Sequence, residues 1–296
     1  MSGVVGIYSR SRNDLAKIIY YGLYALQHRG QVSTGIAVNN NGFIDYYKDL
    51  GLVHEVFSKE SMERLKGNVA IGHVRYATVG EPTITNAQPL VVGYKKGALA
   101  LSHDGAVMNY KVLKEKLEDD GLIFQTELDT EVIANLIARN HKNKIEEAVI
   151  KTLDQIRGSY GLIMMTENML IGARDPFGVK PLSLGKYGED YILASETCAF
   201  DTIGAEFIRD IEPGEIVFIS DEGIRSIKKG KVNRKLCIFE SIYFARPDSK
   251  MDNRSIYLSR LEAGKQLARE AYVEGDIVIG APDSGTIAAI GYGEEA

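Results

Sequence analysis

Ser2 follows the initiator Met1. Removal of that methionine, usual before a small second residue, leaves a hydroxyl and an α-amino group on one residue. Gly3 and a short β-branched run, Val4, Val5 and Ile7, come next. Such a serine is a nucleophile, a disabled nucleophile or simply a chain end, and alone it carries little weight. Four further stretches concentrate polar side chains: Leu26-Gln27-His28-Arg29-Gly30-Gln31 with Thr34 to Ala37; Gly72-His73-Val74-Arg75-Tyr76-Ala77-Thr78-Val79-Gly80; Ser102-His103-Asp104-Gly105; and Leu128-Asp129-Thr130-Glu131. Singly, Arg75 reads as a surface ion-pair residue and Asp129 as the cap of the helix after it, although a guanidinium also offers paired donors to a carboxylate. The spacings of His28, His73 and His103 give no metal triad, so hydrogen-bonding roles are expected for them.

These residues need elements to hold them. Val4 to Tyr8 reads as a buried strand, and Asn13-Asp14 then precedes the helical spacing Leu15, Ile18, Ile19, Leu23, Leu26, broken at His28-Arg29-Gly30. Thr34 to Val38 and Phe43 to Tyr47 form a hairpin about Asn39-Asn40-Asn41-Gly42. Further strands are expected at Val69 to Val74, Ala98 to Ser102, Gly161 to Met165, Met169 to Ala173, Tyr191 to Ala194 and Glu215 to Ile219. A block of helices at Tyr110 to Leu117, Thr130 to Arg139 and Ile145 to Ile156 lies between them. Strands in runs around a helical block indicate an α+β layered domain, not a doubly wound sheet. Arg234 to Asp252 reads as an extended connection, Ile256 to Tyr272 as a long helix, and Asp276 to Gly280 as a strand followed by a loop and a new helix.

Composition narrows the function. The chain has 296 residues, 45% apolar and 25% charged, with net charge −5. That balance fits a globular protein and gives no field for nucleic acid or an anionic membrane. Cys198 and Cys237 stand far apart with no C-x-x-C neighbour and read as reduced thiols. The N-terminal apolar run is too short for a signal peptide, so a cytoplasmic protein is expected. Walker and Rossmann loops are absent from the sequence, so no nucleotide cofactor is implied, and the cysteine and histidine spacings imply no metal.

The five stretches together, in this order, resemble the glutamine-hydrolysing domain of the N-terminal nucleophile amidotransferases. Arg174-Asp175-Pro176-Phe177-Gly178-Val179-Lys180-Pro181-Leu182, Ser195-Glu196-Thr197-Cys198-Ala199-Phe200-Asp201 and Tyr243-Phe244-Ala245-Arg246-Pro247-Asp248-Ser249 narrow the resemblance to the glutamine phosphoribosylpyrophosphate amidotransferases, which begin purine synthesis. The resemblance implies a four-layer αββα sandwich over residues 2–230, a connecting segment and helix over 231–275, and the start of an α/β phosphoribosyltransferase-like domain over 276–296. It implies glutamine as ligand, with Arg75 and Thr78 on its α-carboxylate, Asp129 on its α-ammonium, and position 104 with Gly105 as the oxyanion hole. It also matches Cys237 to one ligand of a [4Fe–4S] cluster found in some members; the other ligands are absent, so an unligated thiol is expected.

Two positions depart from the family. Ser2 stands where the family has Cys, and Asp104 where it has Asn. A serine hydroxyl needs far more activation than a thiol. An ionised carboxylate only accepts hydrogen bonds and meets a developing oxyanion with repulsion, though protonation at low pH would let it donate. Adjacent acids occur at Glu118-Asp119-Asp120, Glu146-Glu147, Glu189-Asp190, Asp221-Glu222 and Glu294-Glu295, but none leads into the Thr/Gly-rich loop of a phosphoribosyltransferase. The expectation is an amidotransferase-type protein, weak or inactive as a glutaminase. The alternative is a non-catalytic glutamine-binding regulatory paralogue or a partner subunit of a phosphoribosyltransferase; the expected partners are glutamine and either a phosphoribosyltransferase subunit or further copies of the chain.

Overall fold

Alternation along the first strand sets the layering. In the computed structural model, which describes residues 2–77, 80–228 and 234–296, every residue of β1 (Gly3–Tyr8) is buried. Val5 and Ile7 join a cluster with Leu15, Ile19 and Leu23 of α1 (Leu15–Ala25). Val4 and Tyr8 join a second cluster with Ile163, Met165, Leu170 and Val217. Side chains of a strand alternate between faces, so a strand apolar on both faces belongs inside a layered structure.

The other strands are β2 (Ser33–Asn40), β3 (Phe43–Leu50), β4 (Val69–Arg75), β5 (Leu90–Tyr94), β6 (Gly97–Val107), β7 (Gly158–Met165), β8 (Leu170–Arg174), β9 (Ser183–Tyr187), β10 (Asp190–Ala194), β11 (Glu206–Asp210), β12 (Glu215–Ser220) and β13 (Gly223–Lys228). Among the described residues they form a seven-stranded sheet, in the order β11-β9-β10-β1-β4-β2-β3, and a six-stranded sheet, β13-β12-β8-β7-β6-β5. The two sheets face each other across the second cluster. They approach so closely at Gly6 that a Cβ there would lie 2.7 Å from Ile163 and 2.9 Å from Leu170.

The remaining helices are α2 (Val53–Val56), α3 (Lys59–Arg64), α4 (Tyr110–Asp119), α5 (Asp129–Asn140), α6 (Ile145–Leu153), α7 (Cys198–Ile203), α8 (Ile256–Glu270) and α9 (Ser284–Glu295). Residues of α1, α2 and α7 cover the outer face of the first sheet. Those of α4, α5 and α6, including Leu117, Ile133, Ile137 and Val149, cover the outer face of the second, against Leu101, Leu162 and Met164. The result is the expected αββα sandwich. The hairpin reading also holds: β2 and β3 pair up to Asn40 and Phe43, with positive φ at Asn41 and Gly42, the backbone that asparagine and glycine favour in a two-residue turn.

Several expectations change. Strands β5, β9, β11 and β13 were not evident in the sequence; β5, β11 and β13 are sheet edges and β9 lies next to one. Half-solvated edges interrupted by glycine and charge carry a weak apolar pattern. Asp276 to Gly280 is not a strand: it has no ladder partner among the described residues, and Ile277 and Ile279 are exposed. Arg234 to Asp252 is more than a connection. It contains a π-helical turn, Glu240–Phe244, whose Glu240 is fully buried. Arg260 of α8 donates to Ser241 O and Ala245 O and so fastens this turn. The boundary expected between residues 230 and 231 lies outside the described residues. No helix among them is long and apolar enough to cross a membrane.

Candidate active site

Ser2 sits at the start of β1, 6% exposed, and is held at every polar atom. Its N–H donates to Asp104 Oδ1 at 2.7 Å, its carbonyl accepts from Arg29 Nε at 2.9 Å, and its hydroxyl accepts from the Tyr76 N–H at 3.3 Å. Next along, Val4 N–H donates to Ser195 Oγ and Ser195 N–H returns a bond to Val4 O. Strand pairing fixes the rest: β1 lies beside β4, which brings Arg75 to the same end of the sheet, while Asp104 and Gly105 come from β6 of the facing sheet.

Ser2, Arg75, Gly105 and Asp129 line one small cavity together with Tyr76, Gln88, His103 and Leu128. Gly105 has φ +149, and a Cβ there would meet Ser159 O at 2.0 Å and His103 Nε2 at 2.9 Å, so only glycine fits. The cavity measures about 20 Å³, room for about one water. The Arg75 guanidinium donates to Gly80 O and Glu81 O. Those residues are pinned in turn by Glu127, which accepts from Glu81 N–H and Asn86 Nδ2. Burial lowers the Arg75 pKa, with Glu127 opposing. Thr78, expected beside Arg75, lies outside the described residues.

Asp129 does not cap α5 from outside; it is the helix's first residue. One carboxylate oxygen accepts from Val107 N–H at 2.7 Å and the other lies 3.4 Å from His103 Nδ1. Burial pushes this carboxyl up, but His103 and the two backbone N–H groups of Val107 and Thr130 outweigh it and hold the pKa low. The far nitrogen of His103, Nε2, is buried without a hydrogen-bond partner among the described residues. His73 Nε2–H donates to His103 O, 3.1 Å away, and burial drives its pKa to about 3. Both histidines therefore have the hydrogen-bonding roles expected of them, and His103 in addition faces the cavity.

Asp104 is the main correction. Its carboxylate does not line the cavity where an oxyanion would form. Successive residues of a strand face opposite ways, so with His103 and Gly105 on the cavity side Asp104 points away from it into the protein interior. There it accepts from Ser2 N–H, lies 3.2 Å from Arg29 Nη2 and 3.5 Å from Lys180 Nζ. Burial raises its pKa, yet Lys180, then Arg29, outweigh that and hold it well below the usual carboxylate range. The carboxylate is thereby held in its ionised form, which accepts hydrogen bonds and donates none.

This contact belongs to a buried ionic cluster that the sequence did not reveal. Arg29, wholly buried, also bonds Glu196 Oε1 at 2.6 Å and both oxygens of Glu240 at 3.0 Å. Lys180 lies 3.9 Å from Glu240. Glu196 further accepts from Arg246 N–H and Ser249 Oγ, and pairs with His28 at 2.8 Å. Burial opposes it, but Arg29 and then His28 bring the Glu196 pKa to about 2. Arg29, Lys180 and Glu196 stand inside stretches already marked as unusual, which was a signal. Glu240 had none: it lies 211 residues from Arg29 in sequence. Cys198 is buried beside Glu196, its thiol pushed up to about 12 by burial first, and Cys237 is partly buried and free.

A hydroxyl beside its own residue's nitrogen, at the edge of one of two packed antiparallel sheets with a glycine and an arginine around a small cavity, is the architecture of the N-terminal nucleophile sandwich fold. The family described as a glutamine amidotransferase domain matches residues 73–202. The chain is a relative of the amidophosphoribosyltransferases. It is 45% identical over 294 residues to that of Bacillus subtilis, covering 99% of this chain and 61% of the relative. With that of Archaeoglobus fulgidus it shares 47% over 301 residues, covering 100% and 65%. The solved glutamine phosphoribosylpyrophosphate amidotransferase of B. subtilis, complexed with ADP and GMP, superposes with a TM-score of 0.94 at 44% identity, over 99% of this chain and 64% of that one. This chain thus spans less than two thirds of the length of these relatives.

Proposed function

We propose that this protein binds glutamine at the Ser2 cavity and hydrolyses it poorly, the ancestral reaction being release of ammonia for phosphoribosylamine formation. The observation that carries this reading is the split between the two halves of the site. Arg75 and Asp129 stand on the cavity wall as an anchoring pair for an α-amino acid, whereas Asp104 has both oxygens engaged as acceptors and gives a reacting carbonyl no donor. One lost oxyanion donor costs about 10²–10³ in rate, and the less acidic serine nucleophile adds to it. Entry of glutamine requires the Gly80 and Glu81 carbonyls to leave Arg75, since the cavity is smaller than the ligand.

Calorimetry is expected to show glutamine binding that is lost in Arg75→Ala. Ammonia release is expected at least ~10³-fold below an ordinary glutaminase, to rise in Ser2→Cys, and to rise further in Ser2→Cys with Asp104→Asn. Turnover at ordinary rates by the unaltered chain overturns the reading. A second reading, a regulatory partner of a phosphoribosyltransferase subunit, is favoured by the exposed apolar side chains of Val273, Ile277, Ile279 and Ile290. Large apolar patches of that kind mark interfaces. Retained glutamine binding with no turnover in any of these variants would support it.

A further inference from the structure

The cluster beneath Ser2 has a charge balance that depends on Asp104. The side chains in direct ionic contact there are the buried cations Arg29 and Lys180 and the buried anions Asp104, Glu196 and Glu240, with His28 on Glu196 at the rim; Arg260, also buried, is bound to Ser241 O and Ala245 O and adds a positive field at Glu196 rather than at Asp104. Among the five buried side chains in contact, two cations face three carboxylates, and the Asp104 end is one positive charge short. Removal of the initiator methionine turns the Ser2 nitrogen, 2.7 Å from Asp104 Oδ1, into an amine that supplies that charge when protonated. We propose that Asp104 is a positioning residue that traps the Ser2 α-amine as an ammonium ion and so withholds the base that N-terminal nucleophile chemistry requires. The proposal rests on reading Ser2 as the reacting residue and adds a second cause of impairment, separate from the lost oxyanion donor.

The competing fields are all identifiable. Burial at 6% exposure disfavours the ammonium, as do Arg29 and Lys180. Both cations also pair with Asp104, Arg29 at 3.2 Å and Lys180 at 3.5 Å, and so compete for it, but they are shared with Glu196 and Glu240, and Asp104 is the carboxylate that touches the Ser2 nitrogen itself, at 2.7 Å. His73 on β4 is neutral, its pKa near 3 from burial. Arg75 and Asp129 stand across the cavity, Arg75 held by loop carbonyls and Asp129 by His103 and Val107. His28 sits at the cluster's rim on Glu196. With a neutral amine the buried set would carry a net negative charge; with asparagine at 104 the same set is balanced without any proton on the amine. One substitution therefore moves the favoured state of the base.

The test uses the full chain processed to Ser2, verified by intact mass, with ¹³C-labelled serine and the Ser2 resonance assigned from its loss in Ser2→Ala. An ordinary α-amine titrates near pH 7.7–8.0. The Ser2 midpoint is expected at least about one pH unit above that range, to fall by about a unit or more in Asp104→Asn, and to rise in Lys180→Met, where a repelling cation is removed. If Asp104→Asn does not fold, the unaltered chain and Lys180→Met still decide. A midpoint within or below the ordinary range in the unaltered chain, or one unmoved by Asp104→Asn in a folded sample, overturns the proposal. An ordinary midpoint with absent turnover would refute the amine trap and leave impaired catalysis standing; rapid turnover would refute the impaired reading itself.

Discussion

β1 and the segment Asp276 to Gly280 are made from similar material, a few β-branched residues flanked by glycine. Ile7 has 0% exposure, between β4 and β10 and under α1; Ile279 is 87% exposed, with no ladder partner among the described residues. The difference teaches that an apolar run specifies a strand only when other strands supply hydrogen-bond partners and a cover for its faces. The two ends also differ in charge. Beneath the first lies a wholly buried ionic cluster, whereas ion pairs near the other, such as Arg269 with Glu295, are at the surface.

The comparison breaks most sharply at Arg29. Arg29→Ala leaves Asp104, Glu196 and Glu240 buried without their shared cation, and is expected to cost about 3–5 kcal/mol. Chemical denaturation measures it; a loss below about 1 kcal/mol would mean that water screens the cluster. Next in size is the core of β1, where Ile7→Ala should cost about 2–5 kcal/mol by the same measurement. An unchanged midpoint there would contradict the buried layer.

A smaller and graded effect follows from pH. The folded pKa values of His73, about 3 against 6.5, and of Glu196, about 2 against 4.5, are both depressed. The unfolded chain then binds more protons, so the stability is present above the unfolded values and is lost as pH falls towards the folded ones. Unfolding free energy should be flat above about pH 7 and decline below it, by about 1.4 kcal/mol per pH unit for each group inside its window. Asp104 and Asp129, also depressed, steepen the decline below the ordinary carboxylate pKa. A stability curve that rises on acidification from pH 6 to 4 would show the signs to be wrong. The least effect belongs to Ile279→Ala, expected within about 0.5 kcal/mol as for exposed sites without special contacts. A cost like that of Ile7→Ala would reveal a partner covering that segment in solution.

Much of the site was legible because its parts lie in short dense stretches. Ser2, Arg75, Gly105 and Asp129 were each picked out by residue type within a motif, and the structure brings them to one cavity. The long strands and the helical block were legible too, since buried strands and amphipathic helices impose periods on the chain. The edge strands β5, β11 and β13 were not, because half their positions face water, whereas β3, also an edge, was betrayed by its Asn-Gly turn.

What the sequence by itself determined is the local grammar: which runs can be strands or helices, where the Asn-Gly hairpin turns, and that positions 2 and 104 depart from a family pattern. What only the tertiary structure decided is where the Asp104 carboxylate goes. Strand pairing turns it away from Gly105 and His103, and the packing of residues far apart in sequence, Arg29, Lys180 and Glu240, supplies the charges that keep it there. Electrostatic energy depends on distance in space, and no local pattern encodes a distance set by chains that meet only after folding.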